Sequence, residues 1–185
     1  MGMRGRFGFL WGALLLLGSR DAIAGEIQLA AGPGAGASTW RGDATAGSGL
    51  KLGYRMADWI AVDFLGRLGY ATVDERMLTY VSLGATGYTR IGPTRPWLRL
   101  ALAHQHEESV SVVRNDPFSA VFGVGDGIRH RGGFGMGLGV DITVTKQERT
   151  EWIVGVDTSG AWFPDPRGPN LYWGGSLVVG LNYGL

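Results

Sequence analysis

The chain has 185 residues, 17 Lys and Arg against 16 Asp and Glu, a net charge of +1 and no cysteine. One domain's worth of chain with so little net charge offers no basic field for a nucleic acid, and without cysteine no disulfide can hold an exported fold together. Charged residues make up 18%, glycines number 33 and mean hydropathy is +0.06, which excludes a helical membrane protein but not a barrel, whose strands are half polar or small.

Residues 1–24 carry the pattern of a cleaved signal peptide. Arg4 and Arg6 give the positive start, Phe7 to Leu17 the apolar run, and Ala22-Ile23-Ala24 the small-residue cleavage site. Removing Arg4, Arg6, Arg20 and Asp21 leaves 14 basic against 15 acidic residues in 25–185. That segment is expected to form a single domain.

Period-two alternation then predicts eight strands. The first, 26–31, sets Glu26 and Gln28 against Ile27 and Leu29; the Gly/Pro/Ser content of 32–46 predicts a loop. The second, 47–55, sets Leu50, Leu52 and Tyr54 against Lys51, Gly53 and Arg55, and 56–58 is a tight turn. The third, 59–70, puts Ile60, Val62, Phe64, Leu68 and Tyr70 opposite Asp63 and Arg67. After a short charged loop at 71–77, the fourth strand, 78–91, alternates less cleanly. Strict alternation sends Tyr80 and Tyr88 inward, which suggests a bulge.

A turn at 92–96 leads to the fifth strand, 97–106, with Leu98, Leu100 and Leu102 opposite Arg99, Ala101 and Ala103. The longest connection is 107–131. The sixth strand, 132–142, sets Phe134, Met136, Leu138 and Val140 against a glycine ladder ending in Asp141, and 143–150 turns the chain. The ladder has no helix after it and so is no nucleotide loop; its bare wall leaves room for a long neighbour such as Arg99. The seventh strand, 151–163, puts Trp152, Val154, Val156 and Trp162 opposite Gly155, Asp157 and Ser159. Beyond 164–170, the last fifteen residues alternate Trp173, Leu177, Val179, Leu181 and Tyr183 with Gly174, Ser176, Gly180 and Asn182.

The faces decide between a soluble calyx and a membrane barrel. The bulky apolar residues share a wall almost free of charge, while Glu26, Lys51, Arg55, Asp63, Arg67, Arg99, Asp141 and Asp157 gather on the other. Opposite signs on an enclosed wall predict internal ion pairs. Trp152 and Trp162, like Trp173 and Tyr183, lie ten residues apart, about 25 Å along the normal of a tilted strand, the height of an outer-membrane apolar band. Tyr54, Tyr70, Trp152, Trp162, Trp173 and Tyr183 are therefore the expected lipid-facing aromatic belts. The predicted fold is an all-β, eight-stranded antiparallel up-and-down transmembrane β-barrel, its interior filled by side chains rather than left as a pore.

Gly53-Tyr54-Arg55 running into Asp58-Trp59 at a tight turn, the leader and the alternating terminal strand together resemble small eight-stranded outer-membrane barrels of the OmpA/OmpX type. The resemblance covers essentially all of 25–185. It implies insertion from the periplasm by the barrel-assembly machinery. The expected product is a monomer in a Gram-negative outer membrane, in contact with lipid and lipopolysaccharide, without a cofactor and with a structural, envelope-integrity or surface-interaction role.

Two clusters could carry chemistry. His104, His106 and Glu108 share a strand face, a two-imidazole, one-carboxylate set that suits Zn or Cu, although polar residues are ordinary where a strand leaves the bilayer and no metal is expected. The same histidines with Ser109 or Ser111 offer the rival reading of a lipid A deacylase-like hydrolase, but His-x-His stands where that pattern has His-x-Ser. A small-solute channel is a third option. Arg129, His130 and Arg131 lie where lipopolysaccharide phosphates are expected.

Overall fold

Alternation of large apolar with small or charged side chains holds along nearly the whole chain, and its result is a closed sheet. A computed structural model describes residues 25–124 and 126–185; the expected signal peptide lies outside them. Eight antiparallel strands follow in order: β1 Glu26–Ser38, β2 Ala44–Ala57, β3 Ile60–Ala71, β4 Arg76–Tyr88, β5 Thr94–Ser109, β6 Arg129–Gln147, β7 Thr150–Trp162 and β8 Leu171–Gly184. Each pairs with its sequence neighbours, and β1 pairs with β8 to close the barrel. Closure satisfies every strand edge, the condition for crossing lipid with strands. The Leu185 N–H donates to the Gly25 carbonyl at 2.8 Å, which ties the two ends of the barrel segment together.

Strands β1, β2, β5 and β6 are longer than their patterning suggests. Gly32–Ser38 continues β1 instead of forming a loop, because its glycines and alanines fit the wall against Gly174 and Gly175 of β8. Pro33 interrupts only the β8 side of the ladder, as a residue without an N–H must. Thr143–Gln147 belongs to β6, so the 143–150 turn shrinks to Glu148-Arg149 between paired Gln147 and Thr150. β4 runs in unbroken register with both neighbours. The suggested bulge is absent from it; Tyr80 and Tyr88 simply point inward, where the Tyr88 hydroxyl donates to Gln28 Oε1 at 3.0 Å.

Three connections lie at the end opposite Gly25 and Leu185 besides the long one: 39–43, the 3-10 turn Val73–Glu75, and 163–170. The long connection, expected as a loop, holds two short helices, α1 Val110–Asn115 and α2 Pro117–Phe122. Asp116 caps α2, accepting from the Ser119 N–H at 3.0 Å and its hydroxyl at 2.6 Å. Those hydrogen bonds, the hydroxyl's first, hold the Asp116 carboxyl below the usual carboxylate range. The helix stops at Gly123, whose φ of +67° is a left-handed cap that favours glycine.

The glycine ladder of β6 makes room for aromatic rings, not for Arg99. A Cβ on Gly139 would lie 2.6 Å from the Trp97 ring, one on Gly135 2.6 Å from the Tyr80 hydroxyl, and one on Gly133 2.7 Å from Phe163. Arg99 lies instead against Gly84 of β4. A narrow cylinder admits large interior side chains only where the facing wall is bare.

Candidate functional site: the charged interior and the outer rim

Interior side chains stack in charged layers. At the inner end Glu26 pairs with Arg55, and Glu151 accepts from Arg95 at 2.8 Å, Thr143 at 2.6 Å and Asn182 at 3.3 Å. In the middle Asp63 takes hydrogen bonds from Arg99 Nε and the Thr86 hydroxyl, and Trp97 Nε1 donates to Asp141 at 3.2 Å. Lys51 Nζ sits 5.2 Å from the Trp97 ring centre. Arg67 donates to Ser159 at 2.8 Å and lies 3.6 Å from Asp157. The structure thus places Glu26, Lys51, Arg55, Asp63, Arg67, Arg99, Asp141 and Asp157 on the enclosed wall.

The outer mouth is closed by a cluster that sequence reading did not assemble. Glu107 accepts from Arg131 at 2.7 Å, Tyr172 at 2.9 Å, Gln105 at 2.9 Å, Arg76 at 3.1 Å and Arg129 at 3.4 Å. Arg76 also binds Asp43 and stacks 4.5 Å from Trp40. Arg131, expected at the rim as a phosphate contact, is only 1% exposed: it faces inward and donates further to the carbonyls of Pro169 and Asp165. The reason is that Arg129–Arg131 opens β6 rather than belonging to the 107–131 connection, and alternation turns Arg131 into the mouth. Between this cluster and the Asp63–Arg99 layer a cavity of about 150 Å³ is lined by Arg67, Tyr80, Trp97 and Tyr172 among others. Charged layers stand above and below it.

The outer wall carries the opposite chemistry. Leu50, Leu52, Phe64, Leu83, Leu100, Leu102, Met136, Leu138, Val156, Leu177 and Val179 are all exposed, and the wall shows no charged side chain between the aromatic levels. Tyr54 and Tyr183 flank Ile27 near the inner end, with Trp152 and Trp59 also exposed at that end. Tyr70, Trp162 and Trp173 are exposed near the outer end, where Trp162 stacks with Phe134 at 6.2 Å. Trp59 and Phe134 extend the expected belts.

The rim histidines stand on this outer wall. His104 and His106 are the next two outward positions beyond Leu102, which pairs with Phe134 of the outer belt row. His106 pairs directly with His130 of β6. The ring centres of His104, His106 and His130 lie 4.6 to 5.6 Å apart. His130, expected beside phosphate-binding arginines, therefore joins the other two histidines, while Arg129 turns inward to Glu107. Glu108 is outward by alternation yet only 3% exposed, and its Oε2 has no hydrogen-bond partner. It lies where α1 packs on β4 and β5. Ser109 and Ser111 hydrogen bond to each other at 2.8 Å; among the described residues neither hydroxyl bonds an imidazole.

No family model matches the chain, and no curated protein does. Solved structures do. Neisserial surface protein A is 19% identical over 90% of this chain and 100% of its own, with a TM-score of 0.57. The outer membrane protein OprG of Pseudomonas aeruginosa is 15% identical over 89% and 98%, with a TM-score of 0.50. Ail, the attachment invasion locus protein of Yersinia pestis, solved with the heparin analogue sucrose octasulfate, is 15% identical over 87% and 99%, with a TM-score of 0.52. At these identities the likeness is one of fold, and the fold is that of small eight-stranded outer-membrane barrels.

Proposed function

We propose that the chain is an integral outer-membrane barrel of a Gram-negative envelope, non-enzymatic, with a structural or surface-interaction role. One observation carries the reading. The exposed wall is continuously apolar between two aromatic levels, while the charged residues along that length lie on the enclosed face, several of them in ion pairs such as Arg55–Glu26 and Arg99–Asp63. Such a surface is favourable against hydrocarbon and unfavourable against water. Delivery follows the usual route for this fold, a cleaved leader and the barrel-assembly machinery, and the product is a monomer.

The surface role belongs to the outer end. Phe118 and Phe122 of α2 have ring centres 4.7 Å apart, tilted at 46°, and are 73% and 61% exposed, beside exposed Val121 and Val124. Exposed Arg41, Arg114 and Arg167 surround that end. With Arg131 withdrawn into the mouth, these take the place of the 129–131 run as candidate contacts for lipopolysaccharide phosphates.

The test is fractionation together with a detergent gel. The chain should travel with the outer membrane and migrate differently before and after boiling; recovery as a soluble periplasmic monomer would refute the reading. Lipid A acyl composition should be identical with and without the gene. An acyl chain lost only when the gene is present, and restored by His104→Ala, would replace it with the hydrolase.

A further inference from the structure

The three histidines of the chain come from two strands and converge on one spot of the rim. His130 Nδ1 lies 3.4 Å from His104 Nε2, and each of the three residues offers a ring nitrogen within 4.8 Å of the others. Two nitrogens bound tetrahedrally to one zinc at 2.0–2.1 Å stand about 3.4 Å apart. One edge of the triangle already has that length, and side-chain torsions can close the other two. We propose that His104, His106 and His130 form a site for a divalent transition metal, Zn²⁺ or Cu²⁺, with a coordination position left open to water or an external ligand.

Three further features fit a ligand set rather than a chance meeting of polar side chains. The cluster is roofed: a Cβ on Gly123 would overlap the His106 ring, so the end of α2 passes directly over the imidazole. His106 Nδ1 is buried without a partner, a cost that a bound ion or a shift of the ring would remove. The side is open where an incoming ligand would need it, because Gly132 pairs with His104 and a Cβ there would meet nothing within 4 Å. The nearby arginines do not oppose a cation at the imidazoles, since Arg129 and Arg131 point to the other face of β6 and bind Glu107. Three neutral imidazoles suit borderline metals and give Mg²⁺ or Ca²⁺ nothing hard to hold.

This set corrects the strand-only expectation of His104, His106 and Glu108. Cross-strand register supplies His130 as the third ligand, and Glu108 is no member of the cluster. The site stands apart from the envelope role, since its geometry is the same whatever surrounds the wall.

The experiment uses the full mature chain, made without a polyhistidine tag and folded in detergent micelles. Zn²⁺ and Cu²⁺ are titrated separately by calorimetry. Binding should saturate at one ion per chain, and the Cu²⁺ electron paramagnetic resonance spectrum should show coupling to several nitrogens. His130→Ala should weaken binding at least as much as the ~10–100-fold that losing an outer-shell partner costs. Glu108→Gln should leave affinity within a few-fold. Heat-modifiable migration of each variant verifies that the barrel is closed. Absence of saturable binding to the wild-type chain overturns the proposal outright. Binding that survives His130→Ala but not Glu108→Gln overturns it in favour of the single-strand set.

Discussion

Glu107 is an acceptor for five donors, two of them buried arginines whose charge it offsets. Glu107→Gln preserves the shape but removes the carboxylate that, among the described residues, alone pairs with Arg131. Breaking a buried pair from one side leaves an uncompensated charge, at a cost of about 3–5 kcal/mol. The urea midpoint of detergent-folded protein should fall accordingly, and pairing the change with Arg131→Met should recover much of the loss. Arg76 has a second carboxylate in Asp43 and should tolerate the change better than Arg131. Arg76, Glu107 and Arg131 stand in the sequence as single charged positions. What could not be seen was their meeting, because Arg76, Glu107, Arg131 and Tyr172 come from four strands and lie at strand ends, where alternation is shortest and loop composition competes with it.

At the scale of elements, Val156 lies on β7 between Trp152 and Trp162, four residues from the first and six from the second, on the apolar face. Val156→Arg should cost ~2–4 kcal/mol in folding into lipid vesicles, the price for arginine at a bilayer midplane; an unchanged folding free energy would show that this wall does not face lipid. The cap of α2 predicts a pH effect of definite sign. Its carboxyl titrates below the usual range, so the stabilisation is present above the ordinary carboxylate pKa and is lost as pH falls through the depressed value. Carbon chemical shifts of Pro117–Phe122 should lose helical character on acidification, while Asp116→Asn should make them insensitive to pH. The strands themselves were legible throughout, since bulky outward residues repeat by twos. Their ends were not: Gly32–Ser38 has loop composition, yet small residues are what a crowded barrel wall accepts. The helices escaped because six-residue segments carry too little periodicity. His130 was seen as a basic rim residue; only the β5–β6 register reveals it as a neighbour of His106.

For the molecule as a whole, ion clusters above and below the interior cavity imply a barrel that does not conduct. Planar bilayers holding the purified chain should show no stepwise current, and regular steps would mean that the Glu107 or Asp63 layer parts under voltage. The bond from Leu185 to Gly25 has a different consequence. Head and tail of the cylinder touch, so the order in which the staves are synthesised is not imposed by their order around the wall. A variant that sews residue 185 to residue 25 with a short glycine bridge and opens the chain instead at Asp126, in the outer connection, should still close into the same cylinder. It would carry its two free ends on the far side of the membrane.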